Sequence, residues 1–392
     1  MPFTRQALFT FSIGDDDSLS VVLDEANDFM YCYVTNKIKR VRISTLTEVA
    51  SLNETTHNGS LAIDTVNGFL YFMTTSSQQV KKVSLSSFTV VATLALTGMA
   101  TSSGKICQID IPNQLLYAGD NINLAKVNLA TFTQVGSALT FTGGNLIINA
   151  GALDLENNLG YFVGHVTAAG PVHSWRVVKV DLSNMTQSAI LTGFEGTPSG
   201  STSDLSYSVH SAMLDDLTIV PIIVDDFITG YNAKHFLYFP TYTTGVVNNI
   251  NIVRIDIAPI LDAFGAPTGL FNFALDSVLP IQSAFRATDN VMDTGNGFGY
   301  IVESVSPGKI HIFNLSDFLY YGNITLNTGE DFSGDGYGNG ILLNAAKNAF
   351  YVSCTNTSPG KIVRIGTADP MGGAKTLNRK TSPYTWGQTN YN

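Results

Sequence analysis

Residues 64–91 read DTVNGFLYFMTTSSQQVKKVSLSSFTVV. Asp64 is followed after two residues by Asn67, and after three more by Tyr71. A short polar loop then leads to the basic–apolar alternation Lys82-Val83-Ser84-Leu85, a Thr/Phe turn and a further apolar strand. Laid over itself, the chain repeats this pattern. It recurs as DEANDFMYCYVTNKIKRVRISTLTEV at 24–49, DIPNQLLYAGDNINLAKVNLATFTQV at 110–135 and DLENNLGYFVGHVTAAGPVHSWRVVKVDL at 154–182. Further copies are DTGNGFGYIVESVSPGKIHIFNL at 293–315 and NAAKNAFYVSCTNTSPGKIVRI at 344–365. A degenerate seventh, with HFLYFPTYTT and IVRIDI, is centred on Tyr238. The other anchoring pairs are Asp24/Tyr31, Asp110/Tyr117, Asp154/Tyr161, Asp293/Tyr300 and Asn344/Tyr351.

Each copy alternates with period two, is bounded by turn residues and holds three or four strands. Four-stranded units recurring at this period are the signature of propeller blades, which must stack because one blade cannot bury both its faces. The sequence therefore predicts an all-β fold, a seven-bladed β-propeller of mostly four-stranded antiparallel blades. It forms one domain over 1–366, followed by a tail at 367–392. Helical periodicity is nearly absent, and only Pro259–Phe264 suggests a short turn. The last copy ends at Ile365 without an outer strand, while a β-like segment precedes the first. Ala7–Ile13 is thus expected to close the last blade and remove an open edge.

Charged residues make up 13 % of the 392-residue chain, with 31 acidic against 21 basic side chains and a net charge of −10. Nucleic acid and anionic membrane both select clustered Lys and Arg, so neither is an expected partner. Polarity comes instead from 72 Ser and Thr and from 31 Asn, a composition that leans towards extracellular or virion-exposed β proteins. No apolar run approaches the roughly 18 residues of a membrane-spanning helix, and no secretory h-region is visible at the N-terminus. Cys32, Cys107 and Cys354 lack metal-site spacing. Cys32 reads as a buried free thiol, with a Cys32–Cys354 disulfide as the alternative. Six N-x-S/T sequons, at Asn53, Asn58, Asn184, Asn314, Asn323 and Asn356, match the number chance gives for this composition.

Tyr33-Val34-Thr35-Asn36 spells the tetrapeptide of the YVTN-type β-propeller repeat, and the alternation that follows, with Thr89-Val90-Val91-Ala92-Thr93 in the second copy read as a turn, also resembles that family. The resemblance covers about residues 20–366 as repeat architecture. It implies a surface or extracellular propeller that binds or scaffolds, with lactonase-type enzymes among related seven-bladed folds.

The repeated Asp stands where one strand turns into the next, where its side chain caps backbone N–H groups as an Asx-turn; the repeated Tyr reads as a packing residue between blades. Asp331, Ser333, Asp335 and Asn339 have the alternate-oxygen spacing of a calcium loop, with Leu342 where an EF-hand would place its bidentate Glu. A glycine-rich connection between blades explains the same residues. The pairs Asp215-Asp216 and Asp225-Asp226 and the run Asp15–Asp17 read as solvated turns. The six histidines show no transition-metal spacing.

The repeat breaks in two places, where a repetitive scaffold usually carries function. From Tyr161 to Tyr238 is 77 residues, against 40, 46 and 44 for the preceding intervals, and a second insertion spans Ile257–Leu279. Both are assigned to a fifth blade at about 194–284 and expected to protrude, with Leu261, Phe264, Leu270 and Phe271 as partner contacts. The tail adds Tyr384 and Trp386. The expected function is a non-enzymatic binding or assembly module, outside a cell or on a virion, contacting protein, glycan or further copies of the chain. The alternatives are a lactonase-like hydrolase with a metal at the channel mouth, or a calcium-dependent adhesion protein.

Overall fold

The computed structural model describes residues 3–10, 18–34, 36–54, 57–74, 77–100, 106–143, 146–166, 174–194, 213–214, 218–224, 227–243, 249–262, 266–282, 287–332, 341–344, 349–354 and 361–367. The first strand is β1 (Phe3–Thr10). Blade 1 holds β2 (Ser18–Asp24), β3 (Phe29–Val34), β4 (Lys37–Arg42) and β5 (Thr47–Asn53). Blade 2 holds β6 (His57–Asp64), β7 (Phe69–Thr74), β8 (Gln79–Ser84) and β9 (Thr89–Ala95). Blade 3 holds β10 (Ile106–Asp110), β11 (Leu115–Gly119), β12 (Asn123–Asn128) and β13 (Thr133–Thr140). Blade 4 holds β14 (Leu146–Asp154), β15 (Leu159–Val166), β16 (Ser174–Asp181) and β17 (Thr186–Phe194). In blade 5, β18 (Met213–Leu214) is followed by a hairpin of β19 (Thr218–Val224) and β20 (Phe227–Lys234). Then come β21 (Phe236–Thr243), β22 (Asn249–Asp256), a second hairpin of β23 (Pro259–Leu261) and β24 (Pro267–Phe271), and β25 (Ala274–Gln282). Blade 6 holds β26 (Ala287–Asp293), β27 (Phe298–Glu303), β28 (Lys309–Asn314) and β29 (Tyr320–Thr325). β30 (Ile341–Asn344), β31 (Ala349–Cys354) and β32 (Lys361–Thr367) begin blade 7.

Each blade is a four-stranded antiparallel sheet that winds outward from its innermost strand. The innermost strands touch in ring order, β2, β6, β10, β14, β18, β26 and β30, and β30 returns to β2. The result is a closed seven-bladed propeller. β1 supplies the outer strand of blade 7, pairing with β32 from Phe3↔Thr367 to Thr10↔Lys361. The closing strand therefore begins four residues before the Ala7 the sequence suggests, because β32 runs on to Thr367 and its backbone groups need partners; residues 11–13 lie outside the described residues.

Outer strands are sheet edges, and here they are poor in charge. All but that of blade 3, whose register shifts between Leu124 and Lys126, carry one irregularity at the same place instead. The register skips Val49, Val91, Ser188, Asp276 and Tyr321 in blades 1, 2, 4, 5 and 6, and Gln6 in β1. A bulge twists the edge out of plane and spoils it as a template for further pairing. That β1 bulges at the common position marks it as a true outer strand.

The hydrophobic core lies in the seams between blades, and one latch recurs there. The turn from the third to the fourth strand places a bulky residue at positive φ: Leu46 at 48°, Phe88 at 52°, Phe132 at 51°, Met185 at 56° and Phe318 at 55°. Such a conformation is costly for a side chain. Packing offsets it, since in blades 2, 3 and 6 the Phe ring enters the seam beneath the repeated Tyr of the preceding blade. Tyr31 lies 5.8 Å from Phe88, Tyr71 6.4 Å from Phe132 and Tyr238 6.0 Å from Phe318. The cation opposite that Tyr covers the same ring, Arg40 at 5.2 Å from Phe88 and Arg254 at 4.3 Å from Phe318. Arg40 and Lys126 also donate to the carbonyls of Leu85 and Leu182 across their seams. The basic–apolar alternation thus places a cation where it can staple two blades.

Two sequence readings are corrected. Pro259–Leu261, within the segment read as a short turn, is an extended strand paired with β24, since Pro259 heads a hairpin rather than a helical turn. Thr89–Ala95 is the outer strand β9, and the turn precedes it at 85–88. Blade 5 begins after Phe194, which completes β17. The three cysteines are buried free thiols, so no Cys32–Cys354 bridge joins blades 1 and 7.

Candidate functional site

The meander puts the first and third turns of every blade at one end of the ring and the remaining connections at the other. At the first end the repeated Asp caps its turn. Asp24, Asp64, Asp110, Asp154 and Asp293 each accept a bond from the backbone N–H of the Asn three residues on, at 2.9–3.3 Å, and another from its side-chain amide. These bonds engage the carboxylates in their own turns.

Blade 5 departs from this economy at the same end. Hairpin β19–β20 fills its first turn and hairpin β23–β24 its third, and β20 rests against β23. Two insertions separated in sequence thus combine into one protrusion. The base of the second hairpin is anchored: Asn272 donates its N–H to the Ala258 carbonyl at 2.8 Å and its amide to Asp256 at 2.9 Å. Phe271 lies 4.9 Å from Lys179 of blade 4, and Phe273 lies 6.1 Å from Tyr161. Burial among these rings lowers the Lys179 pKa, an effect that Asp154 opposes. Leu270 is 63 % exposed and Ile260 is exposed beside it.

The four contact residues expected from sequence therefore divide. Leu270 is exposed, Leu261 half-buried, Phe271 turned against Lys179, and Phe264 outside the described residues. Of the calcium set, Ser333, Asp335 and Asn339 lie outside the described residues; Asp331 accepts a bond from the Ser306 hydroxyl at 3.0 Å. Tyr384 and Trp386 also lie outside, as do the Asp15–Asp17, Asp215-Asp216 and Asp225-Asp226 groups.

Sequence reasoning missed a second constellation, at the outer part of blade 6. His311 Nε2 lies 2.9 Å from Glu303 Oε2, and His311 Nδ1 lies 3.2 Å from the Tyr320 hydroxyl. The Asn323 amide donates to that hydroxyl at 3.2 Å, and Lys309 stands 4.0 Å from Glu303. Glu303 is 0 % and His311 3 % exposed, while Tyr320 is 40 % exposed. Spacings of eight and nine residues give no periodic signal. Superposing the repeats does, because His311 falls where Lys39 and Lys81 stand in blades 1 and 2.

No family model matches the sequence, and no curated protein matches it, so the YVTN-type likeness rests on Tyr33–Asn36 and the repeat. Among solved structures the chain is similar to hydrazine synthase of Kuenenia stuttgartiensis, with a TM-score of 0.59 over 92 % of this chain and 98 % of that one. Identity is 11 %, a level at which the likeness shows a shared propeller fold alone.

Proposed function

We propose that this propeller is a non-enzymatic binding or assembly module, and that the paired blade 5 hairpins are its contact surface. The meeting of two separate insertions at one end of the ring, with Ile260 and Leu270 exposed on the second hairpin, carries this reading. The partner is a protein surface of apolar character, in the first instance another copy of the chain, with glycan as the second class. The weakly charged, Ser/Thr/Asn-rich composition suits a site outside a cell or on a virion.

Size-exclusion chromatography with light scattering tests the self-assembly form. Wild type is expected to run as an oligomer and Ile260→Asp/Leu270→Asp as a monomer with an unchanged melting temperature. A wild-type monomer at about 100 µM, or a variant that assembles normally, refutes it.

A further inference from the structure

Blade 6 departs from the blade template at several positions together. The sites of Glu303, His311 and Tyr320 are occupied in blade 2 by Thr74, Lys81 and Val90, and in blade 3 by Asp120, Ala125 and Gln134. In blade 4 they hold Gly164, Val178 and Gln187, and in blade 5 Thr241, Val253 and Leu275. Blade 1 has Val34, Lys39 and Glu48, where Lys39 and Glu48 form an ion pair at 2.9 Å. The same positions that make a static ion pair in blade 1 thus make an acid–imidazole–phenol chain in blade 6. Blade 6 also has Ile312 where other blades place a cation opposite Tyr, so that staple is absent from its seam.

The orientation of the chain follows from its ends. Glu303 accepts from His311 Nε2–H, which leaves Nδ1 as an acceptor, and the Tyr320 O–H donates to it. The Asn323 amide donates to the phenolic oxygen, a bond that strengthens as negative charge grows there. The buried Glu303 carboxylate stabilises the imidazolium that forms when Nδ1 takes a proton. This is the arrangement of an activated nucleophile: base, orienting carboxylate and a donor to the phenolate, with the reacting oxygen on Tyr320, a residue 40 % exposed.

We propose that Tyr320 is a covalent acceptor for acyl groups carried on good leaving groups, such as aryl esters. The Tyr320 oxygen forms a bond to the acyl carbon while its proton passes to His311 Nδ1. The carbon–oxygen bond to the leaving group breaks, the departing aryloxide takes the electron pair, and His311 returns the proton to it. One ester forms, one is cleaved, and the imidazole ends neutral. Tyr320 is the nucleophile, His311 the base and Glu303 a positioning residue. The acceptor works once per chain, so it stands independently of the blade 5 contact surface.

The adjacent Tyr321 supplies an internal control. It is 41 % exposed, almost as accessible as Tyr320, but stacks on Phe298 at 5.4 Å. Folded protein is treated with p-nitrophenyl acetate and the acetylated tyrosine is located by tandem mass spectrometry. Tyr320 is expected to react at least tenfold faster than Tyr321, and the two at similar rates in concentrated urea. His311→Gln, which keeps an acceptor but no base, should bring the folded ratio near one. Glu303→Gln should lower it several-fold, and Tyr320→Phe should leave only the slow label at Tyr321. A merely structural role for His311 would alter melting but not this ratio. Equal labelling of the two tyrosines in folded wild type, or a ratio that survives in folded His311→Gln or Glu303→Gln, overturns the proposal.

Discussion

Replacing Phe88 tests the seam latch, because the backbone and the side chain there pull in opposite directions. The ring is buried against Tyr31 and under Arg40, and removing a buried Phe costs about 3–5 kcal/mol. Loss of the cation–π contact adds about 0.5–1 kcal/mol. Phe88→Ala should therefore destabilise the ring by about 4 kcal/mol. At φ 52° an Ala still bears the left-handed cost, about 1–2 kcal/mol, which Gly escapes. Against this, Gly loses about 0.5–1 kcal/mol more conformational entropy on folding. The difference leaves Phe88→Gly about 0.5–1 kcal/mol more stable than Phe88→Ala.

That order is the reverse of the one expected inside a regular strand, where the buried Phe72 provides the control. Phe72→Gly should be less stable than Phe72→Ala. Urea titration of the four variants, followed by circular dichroism, reads the midpoints. Equal midpoints for Phe88→Ala and Phe88→Gly, or a loss below about 1 kcal/mol for Phe88→Ala, would refute the latch as described.

Three further outcomes follow from the same seams. Removing residues 1–10 strips the outer strand from blade 7, so the melting temperature should fall sharply; a peptide of residues 1–13 added in trans should recover part of the loss, and an unchanged melt would count against closure by β1. Asp64→Ala leaves the Asn67 N–H and amide without their acceptor and should cost about 1–3 kcal/mol by thermal or urea melting, with Asp64→Asn costing less because one acceptor remains. Alkali should unfold the ring cooperatively. Burial, reinforced by Asp24, pushes the Tyr31 phenol up to about 12, and burial raises Tyr71, Tyr117, Tyr161 and Tyr300 as well. A folded pKa above the unfolded one gives stability that is complete below pH 10 and lost as pH rises towards 12 and beyond. Absorbance at 295 nm should therefore lag the titration of free tyrosine and then rise together with loss of circular dichroism; free-tyrosine behaviour from pH 10 would contradict the burial.

The fold was legible because a blade is a local object. Asp64, Asn67 and Tyr71 sit within eight residues, and the turn they cap is made by those residues alone. Phe271 shows where locality ends. Its neighbours in sequence suggest an exposed insertion, but Lys179, ninety-two residues earlier, offers a cation beneath its ring. Glu303, His311 and Tyr320 escape a reading of spacings for a related reason, since only the register of three antiparallel strands brings them together.

The sequence by itself determined the number of blades, the turn at each Asp and the need for an N-terminal strand to close the ring, since each rests on short-range pattern and on a count of strands. Tertiary structure alone decided which side chains meet across a seam. It selected the register that joins a buried carboxylate, an imidazole and a phenol, and it brought two hairpins from separate connections into one protrusion. Those juxtapositions depend on how neighbouring sheets and strands are held together, and no spacing along one chain encodes them.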